Sequence, residues 1–318
     1  MSFLADPLLA ELPVEIPPHS PALQAGCAFA EGAFVPLSEA KISLFDWGFT
    51  RSDVTYDVVS VWDGAFFRID AHIDRFFASM EKLRMEIPYT KAQVRSILHG
   101  CVRASGLKQS YVGMVCTRGV PAPGVRDPRL AQNRFYAYAL PFVWIANPEK
   151  QKQGLDLHIS HRVRIAPESV DPTVKNYHWL DLVQSLFDAY DGGHDTSCVV
   201  DGAGNIAEGP GFNVFAVKDG VVHTPDSGVL HGISRKTVLE LCARLDIPTQ
   251  VGKVPVSLVQ SADEVFLSTT AGGVLPVSKV SGAAVKGFPG AITQRLQAAY
   301  WEMHQEAPMR DPVQYESA

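Results

Sequence analysis

Asp171-Pro172-Thr173-Val174-Lys175-Asn176-Tyr177-His178-Trp179 is the stretch on which the reading of this chain turns. Pro172 bounds it on one side. On the other, apolar residues Trp179, Leu182, Val183, Leu186, Phe187 and Tyr190 recur at helical spacing, which predicts an amphipathic helix over residues 178–190. Lys175 then falls just ahead of a helix start, where the helix dipole disfavours a cation. An amine that gives up its proton easily is what nucleophilic attack on a carbonyl requires. Taken alone, a lysine before a helix is also an ordinary solvated side chain, so neighbouring segments have to decide.

Toward the C-terminus, Ile206-Ala207-Glu208-Gly209-Pro210-Gly211-Phe212-Asn213-Val214 places Glu208 at a strand end, with glycines that let the backbone turn and approach a ligand closely. Strands are expected over 155–161, 197–200, 206–208, 212–217, 221–224 and 265–268. Helices are expected from Arg235, with Ser234 as cap, to residue 245, and over 292–304. Gly232-Ile233-Ser234 and Ser268-Thr269-Thr270-Ala271-Gly272-Gly273 are two anion cradles, offering hydroxyls and open backbone N–H groups to a phosphate. Toward the N-terminus, hairpins are expected about Glu31-Gly32 and Asp63-Gly64. A helix follows from Asp70, with Ile73, Phe76, Phe77, Met80 and Leu83 on one face. Thr90 and Gln93 form a capping box that opens another helix, ending near residue 105. Strands are expected over 111–117 and 134–140.

Bulk properties bound the function. A chain of 318 residues with a formal charge of -6 has room for about two domains and is not a general nucleic-acid binder. Cys27, Cys101, Cys116, Cys198 and Cys242 stand singly, without zinc or dithiol spacing, and read as buried free thiols. No metal site is expected. The N-terminus lacks the basic region of a secretory signal, and the apolar run 135–146 is interrupted by Pro141 and too short for a bilayer. We therefore expect a cytoplasmic protein. Gly202-Ala203-Gly204-Asn205-Ile206-Ala207 fits a dinucleotide fingerprint, but Gly209, Pro210 and Gly211 follow too closely for the required helix, so a hairpin turn is the better reading.

The segments together resemble the fold-type IV pyridoxal-phosphate enzymes: branched-chain and D-amino-acid aminotransferases, aminodeoxychorismate lyase and, nearest, the (R)-selective amine transaminases. The resemblance runs from about Phe29 to Trp301. It rests on Glu31-Gly32-Ala33-Phe34-Val35-Pro36, Ser52-Asp53-Val54-Thr55-Tyr56, Val174-Lys175-Asn176 with Trp179, Ala207-Glu208-Gly209 with Gly211-Phe212-Asn213, and Thr269-Thr270-Ala271-Gly272-Gly273. It implies an α+β fold, with a small N-terminal α+β domain and a larger C-terminal domain built on a barrel-like sheet with flanking helices. The corresponding boundaries are an arm over 1–24, the small domain over 25–141, a linker over 142–154 marked by Pro148 and a polar run, and the large domain over 155–318.

The resemblance also implies pyridoxal 5'-phosphate as cofactor, and a homodimer with shared active sites. Lys175 matches the Schiff-base lysine that also shuttles the proton. Glu208 matches the acid paired with the pyridine nitrogen. Arg75, Ile233, Ser234, Thr269 and Thr270 match the phosphate contacts, and Leu230 the apolar side chain under the ring. Tyr56, Trp179 and Ala271 match the substrate pocket. Arg126, on the loop Pro123-Gly124-Val125-Arg126-Asp127, matches an arginine that grips the carboxylate of a 2-oxo acid. Arg51 departs from the pattern, since a histidine is common there, and it leaves a D-amino-acid or branched-chain activity open. The implied reaction moves an amino group from an (R)-configured primary amine to a 2-oxo acid such as pyruvate; a branched-chain or D-amino-acid aminotransferase is the alternative, and a lyase on the same scaffold the third reading. No nucleic-acid or membrane partner is expected.

Overall fold

The computed structural model describes residues 21–315. Of the arm expected over 1–24, residues 1–20 lie outside the described residues. The chain divides into two compact units, one of Met1–Val143, Val174–Tyr177 and Glu306–Ala318, the other of Trp144–Thr173 and His178–Gln305. This differs from two consecutive blocks joined by a linker. The Lys175 stretch and the C-terminal tail both return to the first unit.

The first unit contains β1 (Cys27–Ala30), β2 (Ala33–Pro36), α1 (Trp47–Arg51), β3 (Val54–Trp62), β4 (Ala65–Phe67), α2 (Ile69–Lys82), α3 (Lys91–Ser105), β5 (Ser110–Thr117) and β6 (Arg134–Pro141). Its seven-stranded sheet runs in the order C-terminal strand Arg310–Pro312, β4, β3, β5, β6, β1, β2. All neighbours are antiparallel. Alternation sorts the residues of β3: Val59 and Val61 face a buried cluster with Phe76 of α2 and Ile97 and Leu98 of α3. The capping box forms as expected. The Thr90 side chain accepts from Gln93 N–H, and Gln93 Oε1 accepts from Thr90 N–H at 2.9 Å. The C-terminal strand is fastened at several points: Asp311 pairs with Arg95 and His99 at 2.8 and 2.7 Å, and Tyr315 Oη donates to the Leu107 carbonyl at 2.7 Å.

The second unit contains α4 (Pro148–Gln153), β7 (Leu155–Val163), α5 (Leu180–Asp191), β8 (Thr196–Val200), β9 (Glu208–Gly209), β10 (Phe212–Lys218), β11 (Val221–Pro225), α6 (Ile233–Arg244), β12 (Thr249–Gly252), α7 (Val256–Gln260), β13 (Glu264–Thr269), β14 (Gly273–Val280), β15 (Ala283–Ala284) and α8 (Ala291–Met303). The main path of its sheet is β12-β11-β10-β13-β14-β7-β8. The short run before β10 then joins the ends of part of that path. Ile206 bridges Val200 of β8, Ala207 N–H donates to the Val199 carbonyl, and β9 pairs with β10. Strands β10, β13, β14, β7, β8 and β9 thereby close a ring. Inside it Leu157, Cys198, Val214, Leu267 and Leu275 are buried together. On the opposite face Phe215 and Phe266 stack at 4.8 Å.

Several local expectations are corrected. The polar run with Pro148 is the helix α4, capped by the Asn147 side chain. Helix α5 begins at Leu180, not residue 178. Its apolar residues do not form one buried face: Leu182 packs inward with the small Ser185 and Ala189, while Leu180, Val183, Phe187 and Tyr190 stand exposed. Small inward residues let the backbone lie close to β7 and β8, which leaves the bulky side chains outside. Helix α6 starts at Ile233 with Gly232 as cap, so Ser234 lies in its first turn and is not the cap. Strand β14 was not expected, because Pro276 interrupts its apolar run. The proline is tolerated where pairing with β7 has not yet begun, since that ladder starts at Val277. The fingerprint decoy is a turn, with Asp201 Oδ1 accepting from Ala203 and Asn205 N–H. Among the described residues no helix is long and apolar enough to cross a membrane.

Ring closure depends on Gly209. A Cβ there would collide with the Phe212 ring and the Ser197 carbonyl. Gly209→Ala is expected to cost about 1–3 kcal/mol of stability, as overpacking does. Gly202→Ala, where a Cβ meets open space, should stay close to wild type. Urea denaturation of both variants checks the pair.

Candidate functional site

In the first unit, Lys175 does not sit at a helix N-terminus; three residues separate it from the Trp179 cap of α5. The dipole of α5 therefore does not act on its charge. The lysine lies instead on an extended segment laid against β3. Asn176 bridges Thr55, and the Lys175 carbonyl accepts from Tyr56 N–H at 3.1 Å and Thr55 Oγ1 at 2.8 Å. The backbone of the lysine is thus fixed by a strand pairing. Its Nζ lies 4.5 Å from the centre of the Tyr56 ring, and the Tyr177 ring packs on Tyr56 at 4.5 Å. Burial pushes the phenols of Tyr177, Tyr111 and Tyr138 up, so these rings carry no charge at neutral pH.

Arg75 is not a solvated helix arginine. On the face of β3 that carries Val59 and Val61, position 57 holds a fully buried carboxylate, and Arg75 reaches it from α2 through Nε and Nη2 at 2.7 and 2.8 Å. His72 Nδ1 lies 2.8 Å from Asp57 Oδ1. Burial raises the Asp57 pKa, but Arg75 and the hydrogen bonds from His72 and Arg75 outweigh it and hold the carboxyl well below its usual range. Burial lowers the His72 pKa, so the imidazole is neutral at pH 7 and donates from Nδ1. Arg51 is exposed, with its guanidinium stacked 3.8 Å over the Trp47 ring. Arg126 is exposed on the loop between β5 and β6.

In the second unit, Glu208 is buried on the closing strand. Its Oε1 accepts from Arg164 Nε at 3.2 Å and its Oε2 from Leu230 N–H at 2.9 Å. Asn213 Nδ2 donates to the Leu230 carbonyl at 2.9 Å and holds the turn that leads to α6. At Gly232 a Cβ would collide with Asn213 Oδ1, so only glycine permits this close approach. The first turn of α6 presents Ile233 and Ser234, with the Ser234 hydroxyl 2.9 Å from Tyr300 Oη. The Thr269 hydroxyl donates to the Gly211 carbonyl at 2.8 Å and accepts from Ala271 N–H, while the Ala271 carbonyl accepts from Ile145 N–H. Thr270 is half-buried beside it. Trp179 borders Gly211, 3.8 Å from where a Cβ would lie.

Each unit by itself offers groups of a kind that pyridoxal 5'-phosphate takes. A helix N-terminus with a hydroxyl in its first turn suits a phosphate monoester. A buried, hydrogen-bonded carboxylate suits a pyridinium, and a fixed amine suits an aldehyde. The sequence reading missed Asp57, His72, Arg164, Asp181 and Tyr300. Asp57 carried a signal, since it shares strand parity with Val59 and Val61 and a charge at such a position demands a partner. The others carry no signal of their own: His72, Asp181 and Tyr300 are ordinary positions of expected helices, and Arg164 follows an expected strand.

Residues 55–280 match the family described as Amino-transferase class IV. The branched-chain-amino-acid aminotransferase of Pseudomonas aeruginosa is 31% identical over 75% of this chain and 78% of its own length. The D-alanine aminotransferase of Staphylococcus epidermidis is 27% identical over 86% of this chain and 95% of its own. Among solved structures, the branched-chain amino acid aminotransferase of Escherichia coli superposes with a TM-score of 0.86 at 25% identity, covering 91% of this chain and 100% of that one.

Asp57→Asn leaves Arg75 without its counter-charge and is expected to cost about 3–5 kcal/mol at pH 7. The folded carboxyl titrates below its usual value of 3.8. Its contribution is therefore complete above that value and is lost as pH falls through the lowered one. Denaturant melts should show a constant gap between wild type and variant from pH 7 to about 4, and a narrowing gap below.

Proposed function

This chain belongs to amino-transferase class IV, and we propose that within this family of pyridoxal-5'-phosphate enzymes it moves the amino group of (R)-configured primary amines to a 2-oxo acid such as pyruvate. When bound, the cofactor supplies an aldehyde that condenses with amines and a ring that takes up the electrons released as a substrate proton leaves. Lys175 would supply the amine that holds the aldehyde and would then carry the proton. Glu208 would pair with the ring nitrogen. Arg75, Ile233, Ser234, Thr269 and Thr270 would hold the phosphate, chiefly through backbone N–H groups where a hydroxyl already has a partner. Leu230 would offer an apolar side chain to the ring. Tyr56, Trp179 and Ala271 line the substrate pocket.

The observation that carries the amine preference is the neutral aromatic setting of Lys175. Its Nζ lies over the Tyr56 ring, on which Tyr177 packs, and Arg51 is stacked on Trp47. An uncharged aromatic surface favours an apolar substituent and offers no counter-charge to a carboxylate. The 2-oxo acid needs such a partner, and Arg126 on its exposed loop serves as one by swinging in. The second reading, an amino-acid aminotransferase, is favoured by relatives named for branched-chain and D-alanine substrates. A homodimer is part of the proposal, and the exposed apolar residues Leu180, Val183, Phe187 and Tyr190 of α5 support it.

The amine half-reaction, followed without acceptor as loss of the aldehyde-form cofactor absorbance, with (R)- and (S)-1-phenylethylamine, D-alanine and L-leucine separates the readings. The (R)-amine should lead. Preference for D-alanine or L-leucine establishes the second reading, and preference for the (S)-amine overturns the (R)-amine reading. Lys175→Ala should abolish turnover and the borohydride-fixable link to the cofactor. Arg126→Ala should slow the pyruvate half-reaction by about 2–5 kcal/mol, roughly 30- to 4,000-fold, and leave the amine half-reaction within a few fold.

A further inference from the structure

The Glu208 carboxylate is one member of a chain of three buried charges. Arg164, the first residue beyond β7, gives its backbone N–H to the Val200 carbonyl of β8 at 2.8 Å, which aims its side chain at the closing strand. Its Nε donates to Glu208 Oε1, and its Nη1 donates to Asp181 Oδ2 at 2.8 Å, to Asp181 Oδ1 at 3.1 Å and to the His178 carbonyl at 3.3 Å. Asp181 sits in the first turn of α5 and also accepts from Ile165 N–H at 2.9 Å. The side chains of Glu208, Arg164 and Asp181 are 9%, 9% and 10% exposed, so water screens the three charges weakly. Burial works against the Arg164 charge, and the two carboxylates more than restore it.

We propose that Arg164, with its charge divided between Glu208 and Asp181, is a positioning residue that keeps the shared proton on the ring nitrogen of the bound cofactor and off Glu208. The inference rests on the reading of Glu208 as the partner of that nitrogen. A carboxylate and a pyridine nitrogen in a dry site share one proton in two ways. The neutral form, O–H against N, avoids separated charge and is favoured by burial. The ionic form, O⁻ against H–N⁺, makes the ring an electron acceptor. A guanidinium on the other side of the carboxylate lowers its basicity and selects the ionic form. Asp181 moderates this by drawing part of the Arg164 charge to itself. With the pyridinium in place, two carboxylates face two cations and the buried group is neutral.

The two partners therefore have opposite signs. Arg164→Gln leaves Glu208 more basic, and Asp181→Asn leaves it less basic. A purely structural clamp would loosen the same way in both variants. Two measurements read this. In the apoprotein, the Glu208 carboxyl band is isolated by infrared difference against Glu208→Gln. Its titration midpoint should rise by at least about one pH unit, tenfold in the ionised-to-neutral ratio, in Arg164→Gln, and fall in Asp181→Asn. In holoenzymes loaded with ring-15N cofactor, the nitrogen resonance should lie at the pyridinium position in wild type and Asp181→Asn, and move toward unprotonated pyridine in Arg164→Gln. Arg164→Lys keeps the charge and should hold the pyridinium position, which covers the case in which the glutamine variant does not fold. A pyridinium signal and an unmoved midpoint in Arg164→Gln overturn the proposal. So does a midpoint that shifts the same way in Arg164→Gln and Asp181→Asn. Failure of wild type to take up cofactor overturns the functional reading, whereas the apoprotein midpoints still test the effect of the Arg164 charge.

Discussion

A carboxylate taken out of water costs several kcal/mol unless the fold supplies its counter-charge and hydrogen bonds. Each unit of this protein meets that requirement once at its candidate site. In the first, Asp57 is held by Arg75 and His72. In the second, Glu208 is held by Arg164 and by the N–H of Leu230. Such groups fix geometry tightly, because moving either partner leaves a charge buried alone. Helix α2 cannot slide along β3 without breaking the Asp57 pair. The turn into α6 cannot leave the closing strand without stripping Glu208 of a donor.

The same economy of ties explains the placement of the lysine. Its segment is held by main-chain bonds to Thr55 and Tyr56. A strand pairing fixes the backbone at the root of the four-carbon side chain, and a fixed root is what a side chain needs if it both holds a ligand and carries a proton.

Much of this was legible in the sequence, for identifiable reasons. The Thr90–Gln93 box, the hairpins at Glu31-Gly32 and Asp63-Gly64, and the strands around Glu208 are written in local patterns, and each forms. Lys175 and Glu208 stood out through the residues around them. Strand β14 was hidden by Pro276, whose tolerance depends on where a neighbouring ladder begins. The face buried by α5 was misread because small residues, not large ones, turned inward. Arg164 and Asp181 lie 17 residues apart with no motif between them. Their pairing is a tertiary fact that local patterning does not encode.

The C-terminal strand Arg310–Pro312 completes the sheet of the first unit by pairing with β4, and this bears on synthesis. Everything else in that sheet lies before residue 142. During translation, at about 5–20 residues per second, β4 is made on the order of ten seconds or more before its neighbour leaves the ribosome. Throughout that interval the nascent chain carries an uncovered strand edge of the kind that invites pairing with other chains. The strand Arg310–Pro312 thus acts as a cover fitted long after β4 is built, and a nascent chain that stops short of it leaves one edge of the sheet bare.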